Sequence, residues 1–559
     1  MPLAVLLTIL FFASFAAPSA LAAELFVRNV NGYTLSGEGK LQRFDALLVD
    51  HGKVVATGAA AQLVARVGSA RVVDGGGRTL LPGLIDAHGH VMELGFARGR
   101  ADLTGTPSLA AALAIVKTHA TSDPASTWIR GGGWNQAIWK LGRFPTAAEL
   151  DAASGQRPAW LERVDGHAGW ANSAAMKLAG IGKTTADPPG GRIERDAQGN
   201  PSGVFVDAAM RLVASKIPQP GAEEATRALG AALDAMASVG LTGVGDAGID
   251  AHTAALYRRF ADEHKLTTRI YAMIGGADRD FDALSAAGPL VGYGDGVLDI
   301  RAVKLYADGA LGSRGAALLA PYSDDPNNSG LLFHSPEELT AKIAKALAKG
   351  YQVCVHAIGD RANREVLDAF DAAYRSAGGE NLRNRIEHAQ VVAPADIPRF
   401  ASEHLIASMQ PTHATSDMNM AEDRIGARRL EGAYAWRTML AQGTRIAAGS
   451  DFPVESPNPF FGLHAAVTRQ DHADRPAGGW RPEQRMTLVE AFRAFTLDAA
   501  YAEHHETTLG SLEAGKWADF IIVDRDPFAI DPKQIWQTRV LQTWVAGRQV
   551  YSAPVLRAR

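Results

Sequence analysis

Residues 84–90 read LIDAHGH. Leu84 and Ile85 open a short apolar run that Pro82-Gly83 bounds upstream, the pattern of a buried strand, and the run ends in two histidines. Side chains two apart on a strand point the same way, so His88 and His90 can grip one ion together through imidazole nitrogens. Downstream, seven further short runs of this kind alternate with Ala-rich helical stretches: LTGVGDAG (241–248), TRIYAMIGG (268–276), LDIRAVKLYADG (298–309), YQVCVHAIGD (351–360), NRIEHAQ (384–390), LIASMQP (405–411) and TRIAAGSD (444–451). PEELTAKIAKALAKG (336–350) shows the helical partner, with apolar positions at helical spacing and Gly350 ending the pattern. Eight strand–helix units are the number that closes a (β/α)8 TIM barrel.

Polar residues fall at the carboxyl ends of these runs. His88 and His90 end the first, Lys304 the fourth, His356 the fifth, His388 the sixth and Asp451 the eighth. In a parallel barrel those ends form one mouth, so six residues far apart in sequence would converge there. Taken singly each is a weak signal: an isolated H-x-H is usually incidental, and an Asp after Gly-Ser can simply cap a helix. As a set in barrel order they point to a metal site. Asp451 offers an anionic oxygen that can ligate a metal or accept a proton. A lysine beside cations is at first sight wrong, because an ammonium repels them. Either Lys304 binds substrate, or its amine has reacted with carbon dioxide to give a bridging carbamate.

Composition narrows the classes. The 559 residues hold 56 Lys+Arg against 60 Asp+Glu, a formal charge of −4, with no basic run of the sort that binds nucleic acid. One cysteine, Cys354, permits neither an internal disulfide nor a Cys-based zinc site, so any metal must be held by histidines and carboxylates. No H-E-x-x-H, G-x-S-x-G or P-loop motif is present. Residues 1–23, with an apolar stretch from Leu3 to Ala17, Pro18, and small residues at Ala20 and Ala22, read as a signal peptide cleaved near Ala22 or Ala23, although no Lys or Arg precedes the apolar run. The alternative is an uncleaved anchor. Cleavage implies a periplasmic or secreted protein without a stable membrane span.

Strand-like segments at both ends, residues 24–81 and 505–559, suggest one small β-sandwich domain assembled from the two termini around a barrel at 82–504. Residues 91–240 are too long for one unit and contain WIRGGGW (128–134), PAWLERVDGHAGWAN (158–172) and the hairpin candidate GGRIERDAQGNPSGVF (190–205), so they hold a lid-like insertion. Trp134, Arg163, His167 and Trp170 in that segment are candidate substrate contacts, with Asp165 beside them. Trp134 and Trp170 could equally be core aromatics, and Asp165 with Arg163 a structural ion pair. Asp308, Ser313 and Arg314 after the lysine strand are further candidates for orienting substrate. His119, His252, His264, His504 and His505 read as solvated.

LLPGLIDAHGH, RGGGWNQAIW, LERVDGHAGWANS, VKLYADGALGSRGAAL, VHAIGD, RIEHAQ, SMQPTHATSD, AAGSDFPVESPNPFFGLHAAVTR and GSLEAGKWADFIIVDRDP occur in this order. They resemble the amidohydrolase superfamily, and within it the YtcJ-like branch, amidohydrolase family 3, which includes N-substituted formamide deformylase. The resemblance covers essentially all of the mature chain. It implies a barrel with a small β-sandwich flank and two divalent metal ions, expected to be Zn, held by His88, His90, His356, His388 and Asp451, with Lys304 as the carboxylated bridge and Asp451 as general base. His413 stands where this branch varies, which bears on the substrate and makes it a further candidate substrate contact. The expected function is hydrolysis of an amide-type C–N bond of a small organic molecule by metal-activated hydroxide. A deaminase, or an ester, lactone or carbamate hydrolase, would use the same site, and a non-catalytic binding barrel is the alternative of a different class. Oligomeric state, including a homo-oligomer, is not readable.

Overall fold

The computed structural model describes residues 24–554 except 125, 137, 164–167 and 189–190. The signal-peptide reading and the assignments of Asp165 and His167 therefore fall outside the described residues. Among the described residues no helix is long and apolar enough to cross a membrane.

All eight runs are strands. They are β1 (Leu84–Gly89), β2 (Leu241–Ile249), β3 (Arg269–Gly275), β4 (Leu298–Tyr306), β5 (Gln352–Ala357), β6 (Arg385–His388), β7 (Ile406–Met409) and β8 (Ile446–Ala448), paired in this order and all parallel. The circle is completed between β8 and β1 by side chain and loop. Asp86 accepts from the Ser450 backbone N–H at 3.0 Å and from its hydroxyl at 2.6 Å, and the Asp451 N–H donates to the His88 carbonyl at 2.8 Å. Gly449 permits this seam, since a Cβ there would lie 2.6 Å from the His88 nitrogen. The strands make a (β/α)8 TIM barrel.

Period-two alternation sorts each strand. On β4, Val303 and Leu305 pack outward into the large core under the helices, whereas Ala302 joins Ala247, Tyr271, Met273 and Cys354 inside the barrel. Lys304 and His356 lie two residues beyond Ala302 and Cys354 on that same inward face, one layer nearer the mouth. The helix at Pro336–Ala348 forms as its sequence predicts. Ser335 and Glu338 make a capping box, Pro336 takes the first turn, and Leu339, Ile343, Ala346 and Leu347 are buried.

The two chain ends meet in one seven-stranded sheet in which Arg71–Pro82 pairs with Leu25–Leu35 on one side and with Phe520–Val523 on the other. Arg269 at the foot of β3 locks that sheet to the barrel, its Nε donating to Asp519 at 2.7 Å and its Nη2 at 3.1 Å. His504 and His505 are not solvated. Burial pushes the His504 imidazole down to about 3, and the His505 ring bonds Asp299 at the start of β4, so both serve the face opposite the mouth.

Between β1 and β2, the helices Val91–Arg98 and Ala222–Ser238 pack into the barrel core, and the extra sheet lies between them in sequence. It has six strands, in the order Gly191–Arg195, Pro201–Asp207, Ala168–Ala171, Ala159–Arg163, Ile129–Trp134, Ala101–Asp102. Its core contains Trp134, Trp139, Leu150, Leu161 and Trp170.

Candidate metal centre

The mouth brings together most of the residues singled out from the sequence. His90 Nε2 lies 3.1 Å from Asp451 Oδ1 and His88 Nε2 lies 3.5 Å from the same oxygen. On the other side of that carboxylate, His413 Nε2 is 3.7 Å from Oδ2. Two groups offer one ligand atom each with all atoms within 4.8 Å of one another: His88, His90 and Asp451, and His388, His413 and Asp451. Lys304 is buried with Nζ 3.4 Å from His88 Nε2 and 4.4 Å from the centroid of Tyr306. His356 packs edge-on against His388, ring centroids 4.6 Å apart, but joins neither group; its Nε2 faces Asp308 Oδ1 at 3.5 Å and has no hydrogen-bond partner.

A set of supporting residues orients these imidazoles, and the sequence reading missed them. The His88 Nδ1–H donates to Glu387 Oε2 at 2.5 Å, and Glu387 in turn accepts from Arg385 Nε at 2.7 Å. The His388 Nδ1–H donates to Gln410 Oε1 at 2.8 Å. A proton held on Nδ1 leaves the Nε2 lone pair of each ring facing the mouth, the tautomer that a metal ligand requires. The legible signal for Glu387 was its alternation with Arg385 around Ile386 on one short strand, two charged residues on one face of a barrel wall.

Electrostatics point the same way. Burial, with Lys304 next in effect, pushes His88 down to about 4; burial, Lys304 and His88 push His356 down to about 3; and burial with His356 holds His388 well below the imidazole range. Each of these shifts disfavours the imidazolium, the form that cannot ligate a metal. Burial pulls His90 down, but its bond to Asp451 together with the charges of Asp451 and Asp246 leaves it raised. Burial would raise the Asp451 carboxyl, yet the His90 hydrogen bond and the imidazoles of His88, His388 and His413 hold it below the usual range, so it is an anion. Burial lowers Lys304 against the opposing pull of Glu387 and Asp451.

His388 and Asp451 also share a backbone conformation that side-chain-bearing residues rarely adopt, with φ of 73° and 60°. Left-handed non-glycine residues gather where a side chain must be aimed, and both are here at strand ends facing one point. Neutral imidazoles, one carboxylate, and the orphaned Nε2 atoms of His356 and His413 form a donor set that fits a divalent cation of the Zn type.

Several candidate substrate contacts are reassigned. Trp134 and Trp170 are fully buried in the insertion core, and each indole N–H is used on a backbone carbonyl, Leu161 at 2.8 Å and Thr146 at 2.9 Å. Both belong to the packed core of the insertion. Arg163 donates to Gln136 at 2.9 Å and to Asn135 at 3.4 Å. Asp308 is buried and accepts from the N–H groups of Ala317, Ile358 and Gly359, so it ties the loop after β4 to that after β5; burial raises its carboxyl to about 7 against those three bonds. Arg314 pairs with Asp324 on the surface. Replacing Trp134 by Phe strands the Leu161 carbonyl and is expected to cost about 1–3 kcal/mol of stability in urea unfolding, with turnover per folded molecule unchanged. Altered turnover at full folding would restore Trp134 to the substrate.

A cleft of about 290 Å³ lined by Arg98, Trp128, Arg130, Glu224 and Arg227 lies against the insertion and includes none of the mouth residues. The chemistry converges at the strand ends, not there.

A sequence profile of the amidohydrolase family matches residues 71–551. The chain is 33% identical over 552 residues to Protein LONG AFTER FAR-RED 3 of Arabidopsis thaliana, covering 96% of this chain and 92% of that protein. It is 30% identical over 541 residues to N-substituted formamide deformylase of Arthrobacter pascens, covering 94% and 97%. A crystal structure of an uncharacterized metal-dependent hydrolase from Pyrococcus horikoshii OT3 superposes with a TM-score of 0.75 at 27% identity, covering 91% of this chain and 99% of that one.

Proposed function

Because this chain belongs to the amidohydrolase family, we propose that it hydrolyses an amide-type C–N bond of a small organic substrate, with a divalent metal centre at the barrel mouth. The observation that carries this reading is the meeting of His88, His90, His388, His413 and Lys304 around the single carboxylate of Asp451. His88, His90 and Asp451 would hold one cation, with the His388 imidazole beside it, whereas His356, which the resemblance counts among the ligands, turns its Nε2 to Asp308. A bound divalent ion supplies Lewis-acid polarisation of a carbonyl and a water acidic enough to lose its proton near neutral pH.

The residues of the chain do the rest. Asp451, anionic and fixed by its N–H bond to the His88 carbonyl, takes the proton of the attacking water and returns it to the leaving nitrogen. That return matters because an unprotonated amide nitrogen is too basic to leave. Asp308, Glu387 and Gln410 stay off the reacting atoms and keep the loops and imidazoles aimed. Lys304, buried 3.4 Å from His88 Nε2, would be the residue to carry a carbamate.

Tyr306 at the end of β4 and Val454, three residues beyond Asp451, leave large apolar surfaces exposed near the mouth, which supports a substrate with an apolar substituent. N-substituted formamides, which the Arthrobacter pascens relative is named for, head the panel of substrates, followed by larger amides, carbamates, esters, lactones and exocyclic amines. Export rests on residues 1–23 and belongs to the same proposal. Treatment with a chelator is expected to abolish hydrolysis of the responsive amide, and Zn, Mn or Co to restore it. Fully metallated protein that cleaves no amide across the panel would reject the reading.

A further inference from the structure

Asp451 presents its two oxygens to different imidazoles. Oδ1 faces His90 at 3.1 Å and His88 at 3.5 Å, whereas Oδ2 faces His413 at 3.7 Å. We propose that His413 is itself a cation ligand, completing with His388 and Asp451 Oδ2 a second position beside the one on His88, His90 and Asp451 Oδ1. This rests on the metal-centre reading above and deepens it: the second cation would be held by His413, a residue read from the sequence as a substrate contact.

Four observations carry it. His388, His413 and Asp451 offer ligand atoms that all lie within 4.8 Å of one another. His413 Nε2 is buried and has no hydrogen-bond partner, an unusual state for a ring nitrogen unless something absent from the protein pairs with it. The His413 ring stacks on His388, centroids 5.9 Å apart and planes 23° apart, so the two rings run side by side toward the same carboxylate. The fourth is the origin of that alignment in the loop after β7. Gln410 fixes His388 through Nδ1 at 2.8 Å, and His413 follows three residues later on the helix Pro411–Asp417. One short segment thus aims one imidazole and supplies the other. His356, by contrast, turns its Nε2 to Asp308. The second position therefore draws on His413 and does not need a carbamate on Lys304 to exist.

The test is titration of metal-free full-length protein with Co(II) and with Zn(II), read by visible absorption and by calorimetry, for the wild type, His413→Ala and His413→Cys. Circular dichroism and thermal unfolding confirm that each variant folds. The expected result is that His413→Ala weakens one cation position by about tenfold or more, and that Co(II)-loaded His413→Cys shows a thiolate-to-cobalt charge-transfer band that the wild type, with its buried Cys354, lacks. Unchanged stoichiometry and affinity in His413→Ala, or no such band in a folded His413→Cys protein that binds Co(II) as the wild type does, would overturn the assignment while leaving the metal centre intact. A wild type that binds neither cation would instead overturn the metal centre itself. Should His413→Ala fail to fold, the band in His413→Cys decides.

Discussion

Asp451→Asn is expected to lower turnover by about 10²–10⁴-fold, the range set by removing a positioned proton-transfer group. The substitution keeps the size of the side chain and one oxygen toward His88 and His90, so elemental analysis should still find the cation held there, whereas the position on His388 and His413 loses its carboxylate oxygen. What disappears is the proton acceptor: the amide cannot take the proton of the attacking water or deliver it to the leaving nitrogen. The loss should appear in kcat and in kcat/KM together, because the interaction is made in the transition state. Turnover within a few-fold of the wild type, with metal content intact, would remove Asp451 from proton transfer and reduce it to a ligand.

The second large effect lies one layer behind the ligands. Glu387 is fully buried between the Arg385 guanidinium and the His88 imidazole. The arginine and the burial pull in opposite directions, and the net result holds the carboxyl well below its usual range. Glu387→Ala removes the carboxylate and leaves a fully buried guanidinium whose other bonds go to the Ala87 carbonyl and the Ser408 hydroxyl. Breaking a buried pair in this way is expected to cost about 3–5 kcal/mol in urea unfolding. It also leaves the His88 Nδ1–H without the acceptor that orients the ring, so cation affinity should fall by about 10–100-fold. Replacing both partners, Arg385→Met with Glu387→Leu, should recover much of the stability and none of the affinity. That split separates support of the fold from support of the ligand. Stability of Glu387→Ala within about 1 kcal/mol of the wild type would contradict the ledger of a costly buried charge.

The eight barrel strands were legible because each is buried on both faces and reads as a short apolar run, five of them closed by a polar candidate ligand at the carboxyl end. The ligand candidates were legible for the same reason, since that end is where a parallel barrel concentrates its polar groups. The insertion strands were found, but two of their aromatics were left open between core packing and substrate contact. Trp134 and Trp170 satisfy their indoles on carbonyls 27 and 24 residues away, which no local pattern encodes. The left-handed backbone of His388 and Asp451 was equally silent, because neither is a glycine and the strain is imposed by the strands around them. Asp86 stands two residues before His88 and was not singled out from the sequence, because its bonds to Ser450 depend on β8 arriving next to β1. His413 needed the tertiary structure for the same reason: its neighbours are His388 and Asp451, from two other strand ends.

Anomalous diffraction at the metal absorption edge, on crystals of the active full-length protein, bears most directly on the metal centre. A peak bonded to His88 Nε2, His90 Nε2 and Asp451 Oδ1 at about 2.0–2.2 Å is the predicted result. Active protein with no anomalous peak within bonding distance of those three atoms would contradict it.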